Sequence, residues 1–569
     1  MFKKKIHFIL FLAIIFGVFF YLTDYVYNEG FNPTDEGVIL AQSFRIINGE
    51  IPHKDFISIR PAGSGYFHAL NYLIPAPVFV TARYFVLIQF FIIAVLCSLF
   101  FHNQIVKNSN LLKNEDIYFL ALIISAYTIS ILNYNLFSWT TIDSVFWSVI
   151  SLYLFSIASK KIHYIFALIS ISLAALSRQT FALATLIAFL YTLYAFRKNI
   201  ISAVIILFSG GIPFILYFGL LIYNNALKDF ILQISGRTEF FETAFLQFIK
   251  RFFLSWSTPL NVFTIAVSIF IYLKKDFSFK RIFNKNVLTK YLPKLYLAIT
   301  FLLVIKYFLS NEQNIYTLPF ELFFSAIAIS IFNRVCFSEQ TKLFYISLTI
   351  ILISWISAIS LGDNTPVFSS GPLFITVVIN SVNIIILSKS NIPKFFPVLT
   401  LFLSLIVLFS GFVSQRKFNY RDNPAQILDD GLYTVSAQFG KIKTNKNLIE
   451  YYSELKTIIE SLPSAKNNTI VYPHNAAFYP AFNTRNPFTL DWLITNEFVG
   501  QEQRVKSDLE KLLYRDKIYI IIDNCNLITI SNSYNPSEYS NIIKEFAENH
   551  LMLIQETKYF KIYYHSFNK

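Results

Sequence analysis

Charge is what this 569-residue sequence has least of: Asp, Glu, Lys and Arg make up 14% of it, against 55% hydrophobic residues. A soluble globular chain carries about 25% charged residues, so the composition excludes a water-soluble multidomain enzyme. Cysteine is scarce too, and Cys97, Cys336 and Cys525 have neither metal-ligand spacing nor the pattern of a disulfide framework. The polar tail from about residue 414 has no Gly-rich phosphate loop and no Ser-His-Asp pattern. A net charge of +14 would suit a nucleic-acid binder, but the cations are dispersed in short clusters between apolar stretches. That distribution marks membrane topology, and nucleic acid is not an expected partner.

What the chain has instead is apolar length, with a mean hydropathy of +0.51. Runs at about 6–22, 83–101, 117–133, 139–158, 164–177, 181–196, 200–222 and 257–273 read as spanning helices. Further runs at about 295–310, 320–335, 343–360, 373–388 and 395–413 bring the expected total to about thirteen. No small-residue cleavage site follows the first run, so it reads as an uncleaved span. With this count the clusters at Lys3, Lys107, Lys160, Arg197, Lys274, Arg334 and Lys389 fall on one side, which the positive-inside rule makes cytoplasmic. The first loop (23–82), the segment Tyr223 to Ser255 and the C-terminus are then external. The abundance of Phe, Ile, Lys and Asn with little Gly suggests an AT-rich bacterial genome, hence an inner membrane. No internal repeat of the kind built into many transporters is present.

From about residue 414 the sequence turns polar. NTIVYP, KIYIIID and YFKIYYH read as strands, and NLIEYYSELKTIIESL and PSEYSNIIKEFAENH as amphipathic helices. The expected fold is a polytopic α-helical membrane domain (1–413) followed by an extracytoplasmic α/β domain (414–569).

The polar stretch from Asn32 to His68 lies between very apolar segments and carries Asp35, Glu36, Glu50 and Asp55. The adjacent Asp35 and Glu36 suit the first turn of a helix. They equally suit a general base held at a membrane face, towards a hydroxyl or amine. The following VILAQSFRIING has helical spacing and is expected to lie along the membrane interface. Asp55 is the companion acid, or a turn residue.

The stretch TDEGVILAQSFRIINGEIPHKDF resembles the first external loop of the GT-C superfamily of polyprenyl-phosphate-sugar-dependent glycosyltransferases. The likeness is to the protein O-mannosyltransferase and aminoarabinose transferase branch. There an Asp-Glu-Gly start, here Asp35-Glu36-Gly37, precedes a Gly-x-x-Pro-x-x-Asp stretch, here Gly49 to Asp55. The motif covers about 40 residues, and the topology extends the likeness to the whole chain. Where many members carry a Pro-Pro segment, this chain has Arg60-Pro61-Ala62-Gly63.

The resemblance implies a GT-C-like membrane glycosyltransferase that moves a sugar from a polyprenyl-phosphate donor to an extracytoplasmic lipid, glycan or protein, with inversion. Asp35 would be the base, supported by Glu36 and Asp55. The departing phosphate should meet cations on the outer side, where topology makes them unusual. Lys306 lies near the outer end of a span, Arg178 at an outer hairpin turn, and Arg60 and Arg237 in external loops. Snorkelling or interfacial anchoring is the plain account of such residues. Asp143, just inside a span, is a candidate sugar contact or a helix cap beside Thr140 and Thr141, and His53 is a further candidate contact to sugar or acceptor. His53 and His68 are too far apart for a metal motif. No cofactor is expected; a divalent metal at Asp35-Glu36, as in oligosaccharyltransferases of the superfamily, is the alternative. A transporter or flippase of lipid-linked sugars, binding through the same charges without cleavage, is the rival reading.

Overall fold

The apolar runs fold as helices where the hydropathy marks them. Two helices of the first loop come first, α1 (Asp35–Ile47) and α2 (Gly63–His68). Then follow α3 (Val78–Val106), α4 (Glu115–Leu132), α5 (Thr140–Ser156), α6 (Lys161–Ser177) and α7 (Ala182–Ala195). The chain continues through α8 (Ile200–Gly210), α9 (Ile212–Tyr223), α10 (Leu227–Ser235), α11 (Glu239–Leu254) and α12 (Thr258–Leu273). The bundle closes with α13 (Lys285–Leu309), α14 (Thr317–Cys336), α15 (Thr341–Ala358), α16 (Ser370–Leu387) and α17 (Phe396–Gln415). This computed structural model describes residues 16–566 apart from 18, 22, 25, 107–114, 134–135, 236–238, 274–284, 311–316, 360–363, 389–395, 416–421, 424–426, 474, 493 and 524–540. Arg237, Lys3, Lys107, Lys274, Lys389 and Cys525 lie outside the described residues.

The chain is a multi-pass membrane protein. Among the described residues, five helices are long and apolar enough to cross a membrane, or up to seven if each of two bent pairs is one span. The expected count of about thirteen goes beyond this. Four further apolar helices, Ile117–Leu132, Lys161–Ser177, Gln179–Ala195 and Leu399–Ser414, have only 10–17 residues. At 1.5 Å per residue α6 and α7, with 17 and 14 residues, are shorter than a hydrocarbon core of about 30 Å, whereas the whole of α17 has 20 residues. The run expected as one span over 200–222 breaks by 55° between α8 and α9. Gly211 stands at the break, and Pro213 lies in the first turn of α9. The segment Tyr223 to Ser255, expected as a loop, contains α10 and α11, and α11 meets α12 at 102°.

Lipid-type exposure and polar glue account for the packing. Leu186, Ile201, Phe208, Phe253 and Leu302 are each more than half exposed, which fits helix faces turned to acyl chains. Inside, helices join through amides: Asn333 donates to Asn380 at 2.8 Å, Asn383 to Asn333 at 3.2 Å, and Asn380 to the Ser347 hydroxyl at 2.9 Å. Gly371 lets α16 cross α4 closely, since a Cβ there would stand 2.5 Å from the Ala126 carbonyl oxygen.

The C-terminal part has helices α18 (Lys446–Ser461), α19 (Phe478–Phe482), α20 (Glu502–Leu512) and α21 (Ile542–His550). Its sheet runs β1 (Thr469–Tyr472), β2 (Lys517–Asp523), β4 (Phe560–Ser566), β3 (Met552–Glu556), with β1 parallel to β2 and the other pairs antiparallel. The three expected strands are β1, β2 and β4. Its core is shared with the first loop: Phe31, Leu40, Ala41 and Phe79 pack with Leu432, Phe439, Tyr452 and Phe478. Helix α1 is therefore not an interfacial helix. It is buried from Asp35 through Ser43, because the C-terminal domain covers the face that an interfacial helix would give to water.

Candidate active site

The start of α1 is set by one amide. Asn32 accepts from the Thr34 backbone N–H at 3.0 Å and hydroxyl at 2.7 Å, and its own NH2 donates to Asp35 Oδ2 at 3.0 Å. This folds residues 32–34 into the turn that feeds the helix and fixes the Asp35 carboxylate, which is 6% exposed. The C-terminal domain lies directly on this turn. Ala477 N–H donates to the Pro33 carbonyl at 2.9 Å, and a Cβ on Gly37 would stand 2.1 Å from the Ala477 nitrogen. Only glycine admits a backbone approach that close.

The neighbouring acid has a different task. Glu36 forms a bidentate pair with Arg83 of α3, at 2.6 and 2.8 Å, and Arg83 also donates to the carbonyls of Tyr27, Glu29 and Gly30. Burial pushes the Glu36 carboxyl up, and Arg83 pulls it down. Both Glu36 oxygens are engaged, so Glu36 braces the turn that carries Asp35.

Of the four expected phosphate-binding cations, the structure groups two. Arg178 links α6 to the hairpin and is 8% exposed. Its guanidinium donates to the Ile359 carbonyl, and among the described residues it has no carboxylate partner. Burial first, and Arg60 second, hold it down at about 9. Arg60 lies 5.2 Å over the Trp139 ring and pairs with Glu497 of the C-terminal domain at 3.1 Å. The loop and hairpin interlock here: Gln179 donates to the Ile59 carbonyl at 2.9 Å, and a Cβ on Gly63 would meet the Leu176 carbonyl at 2.5 Å. Trp139 and Trp492 flank Val38 and Ile39 in the first turns of α1. A chain of contacts thus runs from the Asp35 helix through Trp139 to Arg60. Lys306 is elsewhere: it is exposed in the last turn of α13, 4.0 Å over the Trp256 ring, as a snorkelling lysine would be. Arg237 lies outside the described residues.

The remaining candidates sit in two places. Asp143 is fully buried in the first turn of α5, where its Oδ1 accepts from Gln89 at 2.8 Å and lies 3.2 Å from His68 Nε2. His68 Nδ1 is 3.1 Å from the Asn71 NH2 and 3.2 Å from the Ser138 hydroxyl. The other Asp143 oxygen is buried with no hydrogen-bond partner among the described residues. His53 is also fully buried, 2.8 Å from Gln233 Oε1 and 2.8 Å from the Tyr217 hydroxyl. Gln233 Oε1 already accepts from Ser58 N–H, and Tyr217 accepts from Ala62 N–H. Gln233 Oε1 can only accept, so Nδ1 donates to it, and the Tyr217 hydroxyl proton is left to serve Nε2, an arrangement that suits a neutral ring. Burial lowers the imidazole to about 4. His53 is a latch between loop and bundle. Asp55 is exposed, and its carboxylate accepts from Ile51 N–H at 2.6 Å, closing a turn.

Sequence reasoning passed over Arg83, Asn32, Glu497 and the clamp around Arg45. Arg45 pairs with Glu50 at 2.7 Å and Asp491 at 3.0 Å, and Arg485 pairs with Glu50 at 2.8 Å. Arg83 carried a usable signal. It stands at the outer end of its apolar run, where the reasoning that singled out Arg178 applies equally. Glu497 carried none, since its partner is distant in sequence.

No protein-family model matches the sequence, and no curated protein matches it. Among solved structures, the chain is similar to ArnT from Cupriavidus metallidurans bound to undecaprenyl phosphate, at 9% identity and TM-score 0.41, over 99% of this chain and 98% of that one. It is also similar to the oligosaccharyltransferase AglB from Archaeoglobus fulgidus in complex with an inhibitory peptide and a dolichol-phosphate. That likeness has 14% identity and TM-score 0.45, over 91% of this chain and 70% of that one. Likeness at this level leaves the chemistry to be read from the chain's own residues.

Proposed function

We propose that the chain is a membrane glycosyltransferase of the GT-C kind, moving a sugar from a polyprenyl-phosphate donor to an acceptor outside the cytoplasm. The supporting observation is a positioned carboxylate, Asp35, on a helix whose first turns reach the half-buried Arg60 through Trp139, with the buried Arg178 beside Arg60. In the proposed step Asp35 takes the proton of an acceptor hydroxyl or amine as that atom attacks the anomeric carbon. The carbon–oxygen bond to phosphate breaks, and the lipid phosphate leaves with the electron pair. A single displacement of this kind inverts the anomeric centre. The phosphate gains one negative charge as it departs, and the two guanidinium groups oppose that gain.

Glu36 is proposed to act through position, since Arg83 engages both its oxygens. That occupancy also argues against a metal shared by Asp35 and Glu36, so transfer should survive chelators. Asp143 and His53 are proposed to hold the loop to the bundle, and Lys306 and Asp55 to lie outside the reacting centre. An inner bacterial membrane, with the C-terminal domain outside, is the placement that suits these roles.

The test is transfer of labelled sugar from a panel of polyprenyl-phosphate donors to envelope acceptors by purified protein in lipid. Asp35→Asn should fold and lose about 10²- to 10⁴-fold in rate. Equal rates in wild type and variant would remove Asp35 as the base. Movement of intact lipid-linked sugar across the bilayer without transfer would establish the transporter reading instead.

A further inference from the structure

We propose that Glu497 is an exchangeable counter-ion, held between domains by Arg60 while the anion site is empty and displaced when a phosphate group enters. This rests on the reading of Arg60 and Arg178 as a phosphate site.

The ion pairs joining the first loop to its surroundings fall into two kinds. Arg83 holds Glu36 at 2.6 and 2.8 Å and three carbonyls besides. Arg45 holds Glu50 and Asp491 at 2.7 and 3.0 Å and the Phe488 carbonyl as well. Arg83 engages all five of its N–H donors and Arg45 three, each with at least one carboxylate bond of 2.7 Å or less, as a fixed strut requires. Arg60 and Glu497 meet at 3.1 and 3.3 Å, and each is the other's described polar partner. The pair is long for a charge-assisted bond, and its arginine rests on an aromatic face.

The charge balance around the pair is incomplete. Arg60 and Arg178 bring two positive charges, and Glu497 brings one negative charge. Among the described residues nothing else acidic meets Arg178, which is 8% exposed. A buried guanidinium without a counter-charge is costly, and the Arg60 charge adds to that cost. A phosphate monoester carries up to two negative charges and three acceptor oxygens, so it can satisfy both arginines where one carboxylate satisfies one. Glu497 lies on a short 3-10 turn, Thr495–Glu497, of the C-terminal domain. It can leave Arg60 without disturbing the Arg45 and Arg504 contacts that dock this domain elsewhere.

The probe is undecaprenyl phosphate in nanodiscs, with binding read directly and apart from transfer. Glu497→Gln keeps a hydrogen-bond acceptor for Arg60 and removes the competing charge. It should tighten binding about tenfold. Arg178→Gln should weaken binding by a similar factor. Competition by inorganic phosphate would show that the phosphate group alone suffices, and its absence that the lipid is needed; tightening in Glu497→Gln supports exchange in either case. Unchanged or weaker binding in Glu497→Gln overturns the proposal, since a plain strut between domains would give that result. Failure of wild type and both variants to bind overturns it as well. Tightened binding with no sugar transfer would leave the exchange standing and sink the transferase.

Discussion

At the residue scale, burial decides what each titratable group can do. His53 shows this with a pH signature. Its ring is held neutral at about 4, below the ordinary value of about 6.5. Between those values the unfolded chain binds a proton that the native state refuses. Stability should therefore be highest above about pH 6.5 and fall as the pH drops towards 4, by at most about 3 kcal/mol. His53→Asn, which tolerates the positive φ of 69°, should be less stable at neutral pH with a flatter acid limb in thermal unfolding. An equally steep limb would assign the acid sensitivity to other groups. Glu36 and Arg83 make a second case. Removing either charge should cost roughly 3–5 kcal/mol, because the other is left buried and unpaired. Glu36→Gln with Arg83→Met should cost clearly less than the sum of the two, and strict additivity would show that they are not coupled. The sequence made Asp35 and Arg178 visible because unusual charges beside apolar runs stand out. It hid the pairing of Arg83, because a partner is a matter of folding rather than of spacing.

At the element scale, hydropathy placed the helices well and bends poorly. A long apolar run such as 200–222 reports its environment, but the 55° break inside it depends on how α8 and α9 pack. Strand β3 was illegible for the opposite reason. Each of its residues is exposed, so no buried alternation marks it. The first turns of α1 give this scale its prediction. Gly37→Ala would push a methyl group into the Ala477 backbone, where neither side can yield cheaply. It should cost roughly 3 kcal/mol or more and raise hydrogen exchange in both α1 and α19. Loss of protection in α1 alone would mean that the two elements do not lean on each other.

At the scale of the whole molecule, the division expected near residue 414 follows composition, whereas packing crosses it. The first loop contributes Phe31, Leu40 and Phe79 to the core of the C-terminal domain, and Arg45 and Arg60 reach acids in it. A chain cut after Gln415 should keep its membrane helices but lose protection across α1. Proteolysis and hydrogen exchange can check this. An α1 equally protected in the shortened chain would show that the loop folds by itself. This mutual dependence was beyond sequence reading, since composition shifts locate boundaries and say nothing of what is shared across them.

The clamp between Arg45 and Asp491 joins residues 446 positions apart. During synthesis, α1 emerges early and must wait for almost the entire remaining chain before its partners exist. A ribosome that stops short leaves a membrane-inserted bundle whose acidic turn has never closed. Completion of the chain, rather than insertion of its helices, then becomes the event that arms the molecule. Arrest at successive lengths should show protease resistance of α1 arising only once the Asp491 segment is available, and resistance in chains ending before it would refute this order of assembly.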